Sequence, residues 1–181
     1  MIWTDQLADQ LDWHWQHQLR ARLDGLTDDE YLWEPVPGCW SIRSRAENPD
    51  GHGGGGHVAD FVWPEPVPPP VTTIAWRLAH LVVGVFGARN ASHFGGPARD
   101  YTTFDYAGTA AEALAQLDEA YGTWIGGVRG LGTEGLARPC GPAEGPYAEY
   151  PMAALMLHIN REVIHHGAEI SLLRDLYQHR S

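Results

Sequence analysis

The chain contains no lysine. All 12 of its basic residues are arginine, set against 23 acidic ones, for a formal net charge of -11. So little positive charge excludes nucleic acid as a partner, because a phosphate backbone is bound by a basic footprint. Cysteine is nearly absent as well. Cys39 and Cys140 stand alone in separate loop-like segments, which is too few for a disulfide framework, and spacing leaves open whether they meet. Long apolar runs are also lacking. The longest, around Leu78–Ala88, is interrupted by His80 and is too short to cross a bilayer, so no membrane partner is expected. The start, MIWTDQLADQ, is polar and acidic, without the pattern of a leader. A soluble cytoplasmic protein is the expectation.

What is present points to a folded globule. Of the 181 residues, 44% are hydrophobic and 8 are Trp, enough to bury a core as one domain over 1–181. Leu7, Leu11, Trp15, Leu19 and Leu23 recur at helical spacing and predict a first helix from about residue 5 to 26. Thr27 and Glu30 have the spacing of a capping box. Pro35, Pro37 and Gly38 then close any helix. A long connection follows over 34–71, with Gly53–Gly56 expected to be flexible and the proline-rich 64–70 expected to be stiff. Trp40 and Trp63 are the expected pins of this connection to the rest of the chain.

Thr72 or Thr73 can cap a second helix running to about residue 93, apolar nearly all round. A third helix is expected over about 109–128, and a fourth over about 151–178 with Pro151 near its start. No alternating strand pattern stands out. The expected fold class is all-α, a four-helix bundle with a long crossover connection.

Chemistry concentrates in the fourth helix, in HINREVIHHGAEI from His158. Glu162 and His166 are four residues apart on the stripe that carries Leu155, Ile159 and Ile170. A carboxylate and an imidazole on a buried face are costly unless partnered, and a divalent cation partners both. A third ligand must come from elsewhere. His80, in the middle of the apolar second helix, is the candidate; taken alone it reads as an ordinary core histidine. Two His and one carboxylate with an open position suit catalytic Zn²⁺ or non-heme Fe²⁺. Glu169 can orient a ligand imidazole or pair with Arg77 or Arg129. His158 and His165 lie off the stripe, and His52 and His57, beside the glycines, are read as flexible surface residues. Cys39 has no predictable basic partner that would make it a nucleophile.

Three segments carry a family resemblance: WEPVPGCWSIR (Trp33–Arg43), TTIAWRLAHL (Thr72–Leu81) and REVIHHGAEISLLRDLY (Arg161–Tyr177). They resemble the DinB-like superfamily, which includes thiol-dependent S-transferases and the mycothiol-dependent maleylpyruvate isomerase. Many members hold a metal with one His on the second helix and a His-x-x-x-His pair on the last. Here Glu162 takes the first place of that pair, as in the isomerase branch. The isomerase carries an additional C-terminal domain with no counterpart before Ser181, so a substrate other than maleylpyruvate is expected. The resemblance implies a metal-dependent transferase that joins a low-molecular-weight thiol, mycothiol among the options, to a small electrophile. His80, Glu162 and His166 would hold the metal, Zn²⁺ first, with Ni²⁺ and Fe²⁺ as alternatives. The other reading is a non-catalytic metal-binding stress-response protein with a structural or vestigial site. A homodimer is left open.

Overall fold

The computed structural model of the chain describes residues 3–180. Met1, Ile2 and Ser181, the ends on which the expectations about a leader and a further domain rest, lie outside it. Helix α1 runs Trp3–His14, passes through a π-helical turn at Trp15–Leu19 and closes with Arg20–Arg22. A short α2 (Asp28–Tyr31) follows. Strands β1 (Ile42–Ser44) and β2 (His57–Ala59) pair antiparallel, Ile42 opposite Ala59 and Ser44 opposite His57. Helix α3 comprises Ile74–His80, a π-helical stretch Leu81–Gly87 and Ala88–His93. Helix α4 is Ala110–Arg129, α5 is Gly132–Ala137, a 3-10 segment covers Pro142–Tyr147, and α6 is Met152–Gln178. The fold is all-α apart from the hairpin.

The four long helices fall where the apolar spacing puts them, and their caps explain the starts. Thr73 and Thr109 each accept a hydrogen bond from the backbone N–H three residues on, satisfying a donor that the helix itself leaves free. Helices α1 and α3 each pack against both α4 and α6. Their shared interior is aromatic and branched. Trp15 stacks on Tyr121 with centroids 3.8 Å apart, and Phe86 meets both Trp15 and Trp124 edge-on or tilted. No helix among the described residues is long and apolar enough to cross a membrane.

The connection over 34–71 departs from expectation in three ways. It contains the β1–β2 hairpin, whose three-residue strands are too short to display alternation in sequence. The glycine run is packed rather than free. A Cβ on Gly54 would lie 2.2 Å from the Thr103 carbonyl oxygen, and one on Gly55 1.6 Å from an Asp105 carboxylate oxygen. Glycine stands there because the loop lies directly on residues 103–105, and Arg45 clamps it by donating to the carbonyls of Gly53 and Gly55 at 2.6 and 2.9 Å. Finally, only one of the two expected tryptophan pins acts as one. Trp40 packs on Phe61 and Trp76, whereas Trp63 is 80% exposed. The fixing is done instead by Asp60, which accepts from Ser41 N–H, Arg43 and Asn48 while its carbonyl accepts from the Trp76 indole. The hairpin is thereby tied to the first turn of α3.

Candidate metal centre

His80 closes the regular part of α3. Its ring stacks on Trp76, one turn earlier, with centroids 5.6 Å apart and planes 9° from parallel. Beyond His80 the helix widens into the π-helical stretch, a deviation that recurs at functional sites. Gly84 lies within that stretch. A Cβ there would sit 1.9 Å from the Tyr101 hydroxyl oxygen, so glycine alone leaves room for Tyr101 to reach inward. Its hydroxyl shares a 2.8 Å hydrogen bond with Nδ1 of His80. Burial pushes the Tyr101 hydroxyl up to about 12, so it keeps its proton. The same burial, with His166, Arg77 and Arg89 adding to it, holds His80 down at about 3. His80 is neutral at pH 7.

Helix α6 supplies the remaining groups. His166 is buried, 7% exposed, and Glu162 and Glu169 are half-buried on either side of it along the helix. Nδ1 of His166 lies 2.7 Å from a Glu169 carboxylate oxygen. A carboxylate only accepts, so that nitrogen is the donor, and in the neutral ring Nε2 is the atom with the lone pair. Nε2 in turn stands 3.6 Å from a Glu162 oxygen. Glu169 also takes Arg77 Nε at 3.1 Å, so both roles expected of it are filled together; Arg129 pairs with Asp12 instead.

His166 is the meeting point. The His80 ring approaches it edge to face, centroids 4.7 Å apart, and Glu162 approaches its Nε2. His165, mostly exposed, faces Glu169 at 3.5 Å. Among the described residues, the group whose ligand atoms all lie within 4.8 Å of one another, and which could hold a metal ion, is His165, His166 and Glu169. His158 is closer to the site than its angular offset suggested: its Nδ1 is 3.4 Å from Glu162 and receives a hydrogen bond from Arg161 at 2.7 Å. His57 is elsewhere, its ring filling the space that a side chain on Gly108 would occupy. His52 is part of the site after all. It lines a cavity of about 230 Å³ beside His80, together with Phe61, Trp76, Tyr101 and Tyr106.

The cysteines are free thiols, each buried. Cys39 donates to the Val36 carbonyl at 3.0 Å, and burial raises its pKa, which suits a packed thiol rather than a nucleophile. Tyr101 was missed by sequence reasoning. Its one signal was Gly84, a residue without a side chain four positions after His80 and set between Val83 and Val85.

A family model of the DinB superfamily matches residues 49–170, a span that contains His80, Glu162 and His166. The chain belongs to the DinB superfamily. No curated protein and no solved structure matches it.

Proposed function

We propose that the protein is a metal-dependent transferase that joins a low-molecular-weight thiol to a small electrophile, with a divalent cation held between His80, Glu162 and His166. The observation that carries this reading is the state of the two imidazoles. Each has its Nδ1 engaged by a protein group, Tyr101 for one and Glu169 for the other. A carboxylate on Nδ1, as Glu169 is for His166, orients a ligand ring and leaves Nε2 for the metal; Tyr101 serves His80 in the same way when it accepts from Nδ1–H. Two ligand atoms on a tetrahedral ion with bonds of about 2.1 Å stand roughly 3.4 Å apart. The 3.6 Å between His166 Nε2 and Glu162 matches that separation. The 2.7 Å between His166 Nδ1 and Glu169 does not; it is the length of a hydrogen bond. Of the two candidate sets that share His166, the one with His80 and Glu162 is favoured, and His165 is left outside.

A cation with three such ligands and an open position supplies the Lewis acidity that converts a thiol to a thiolate at neutral pH. The aromatic cavity beside His80 is where the electrophile fits, its apolar body against Phe61, Trp76 and Tyr106 and its reacting carbon toward the ligand cluster. In the overall reaction sulfur bonds to that carbon, the thiol proton passes to solvent, and the displaced group leaves with the bonding pair. A two-His, one-carboxylate set without cysteine suits Zn²⁺, with Ni²⁺ and Fe²⁺ as alternatives; mycothiol is one thiol of the required kind. One observation favours a second reading, a non-catalytic metal-binding protein. His158, whose Nδ1 is 3.4 Å from Glu162, closes the coordination sphere in that reading by giving up its bond from Arg161, as structural sites are closed by a fourth protein ligand.

Elemental analysis of purified variants tests the ligand set. Loss of metal from His80→Ala and Glu162→Ala, with retention in His165→Ala, is expected. The reverse pattern moves the ion to His165, His166 and Glu169. Thiol consumption across a panel of electrophiles then tests the chemistry. Stoichiometric metal with no consumption, and metal lost from His158→Ala, selects the second reading.

A further inference from the structure

The aromatic cavity beside His80 is small, and its walls are specific about what they admit. Its volume is about 230 Å³. An engineered apolar cavity of about 150 Å³ holds benzene, so there is room here for one ring with a short substituent. Phe61, Trp76 and Tyr106 contribute three aromatic surfaces, and Ala59 and Ala79 take up little of the space. Flat walls of this kind favour a flat ligand.

The polar groups on the walls are committed to one another. The Asp60 carboxylate accepts from Ser41 N–H, Arg43 and Asn48 at 3.0, 2.7 and 2.7 Å, and the Asp60 carbonyl takes the Trp76 indole at 2.9 Å. The Tyr106 hydroxyl donates to the Tyr101 carbonyl at 2.9 Å, and the Tyr101 hydroxyl is engaged by Nδ1 of His80. Asp60 is the one carboxylate among the lining residues, and Arg43 matches its charge. In the proposed centre the two charges of the cation are met by Glu162 and the incoming thiolate, which leaves none over for a third partner. A charged molecule entering the cavity would lose its hydration with no counter-charge to replace it.

His52 is the exception. It lines the cavity half-buried, and its backbone is held by paired hydrogen bonds with Ala59 at 3.0 and 2.8 Å. Its ring packs on Phe61 with centroids 5.3 Å apart and makes no hydrogen bond among the described residues. A half-buried imidazole without a protein partner is a donor left for a ligand. We propose that the aromatic cavity takes an uncharged electrophile of about the size of one substituted ring, and that His52 donates a hydrogen bond to an oxygen of that molecule, fixing which way it faces His80. The inference rests on the transferase reading for calling the occupant an electrophile; its size, its lack of charge and the His52 contact stand on the cavity itself.

The test measures binding of three unreactive probes of similar size to the full chain by calorimetry: acetophenone, ethylbenzene and benzoate. It is run at about pH 8, above the ordinary imidazole range. The comparison with benzoate is made in Glu162→Ala, where the cation no longer offers a carboxylate a partner; acetophenone should bind there at least about tenfold more tightly. His52→Phe keeps a ring and removes its nitrogens. It should weaken acetophenone about five- to tenfold, the effect of one hydrogen bond, while ethylbenzene stays within about twofold and thermal stability is unchanged. A merely structural role of His52 would move both probes together. Ala79→Leu fills the space and should abolish binding of both uncharged probes with metal content kept. Binding is read apart from turnover, so the two proposals fail separately: if the transferase reading alone fails, the probes bind as stated and no thiol is consumed with any electrophile. Benzoate binding as tightly as acetophenone, no binding of either uncharged probe, equal losses of both in His52→Phe, or undiminished binding in Ala79→Leu overturns the inference.

Discussion

At the scale of single residues, the centre depends on one absent side chain. Gly84 leaves the space in which the Tyr101 hydroxyl meets Nδ1 of His80. Two substitutions separate the space from the bond. Tyr101→Phe removes only the hydroxyl, so the fold should stand while metal affinity falls about 10- to 100-fold, the usual effect of losing a group that orients a ligand. Gly84→Ala forces Tyr101 out. It should cost about 1–3 kcal/mol by overpacking and lower metal affinity at least as much as Tyr101→Phe. Competition for metal against a chromogenic chelator, together with urea denaturation, measures both quantities. If Tyr101→Phe binds metal as tightly as the parent, Tyr101 has no hand in orienting His80. The carboxylate counterpart of this contact, Glu169 on His166, was open to reading from spacing alone because the two residues share a helix. Tyr101 was not, since it reaches His80 from a segment without regular structure whose path no periodicity reports.

At the scale of elements, α2 is anchored through an ion pair that replaces the expected capping box. Thr27 caps the helix as expected, accepting from Glu30 N–H, but the Glu30 side chain does not turn back to complete the motif. It receives Arg174 of α6 through two bonds, 2.7 and 3.1 Å, with the side chains only 4% and 9% exposed. The same guanidinium donates to the carbonyls of Arg22 and Asp24 at the end of α1. Three elements thus converge on one cation. Glu30→Ala leaves that charge buried and half-partnered, which should cost about 3–5 kcal/mol in urea denaturation. Replacing both partners, Glu30→Leu with Arg174→Met, should recover only part of the loss, because the two carbonyls lose their donor. A Glu30→Ala cost below about 1 kcal/mol would show that the pair is not holding the elements together. Long-range pairs of this kind are invisible in sequence. A Thr-x-x-Glu spacing predicts a local partner, and here tertiary burial offers the carboxylate a better one. The π-helical turns of α1 and α3 escaped for a related reason, since one extra residue in a turn barely disturbs the apolar stripe on which a helix is recognised.

At the scale of the whole molecule, the legible part is the helical frame and the approach of His80 to the Glu162 and His166 face. Both follow from which faces are apolar. What lay beyond reach is the covering of that face: the hairpin, the packed glycine loop and the Tyr101 segment, which together enclose the aromatic cavity through contacts specific to their partners. This division bears on stability. The proposed ligands come from α3 and α6, which already pack on each other, so a cation between them would fasten a preformed contact rather than create the fold. The protein should therefore stay folded without metal and gain stability on loading, by about 2.7 kcal/mol when free metal is at a hundredfold excess over its Kd. For a chain of this size that raises Tm by about 5–10 °C. Differential scanning calorimetry of protein treated with chelator and then titrated with Zn²⁺ gives the shift directly. Glu162→Ala should melt close to the metal-free parent and respond little to Zn²⁺, and His165→Ala should respond fully. A chain that unfolds when the metal is removed would mean that the ion organises the helices. An equal Zn²⁺ response in Glu162→Ala would place the ion outside the cluster around His166 Nε2.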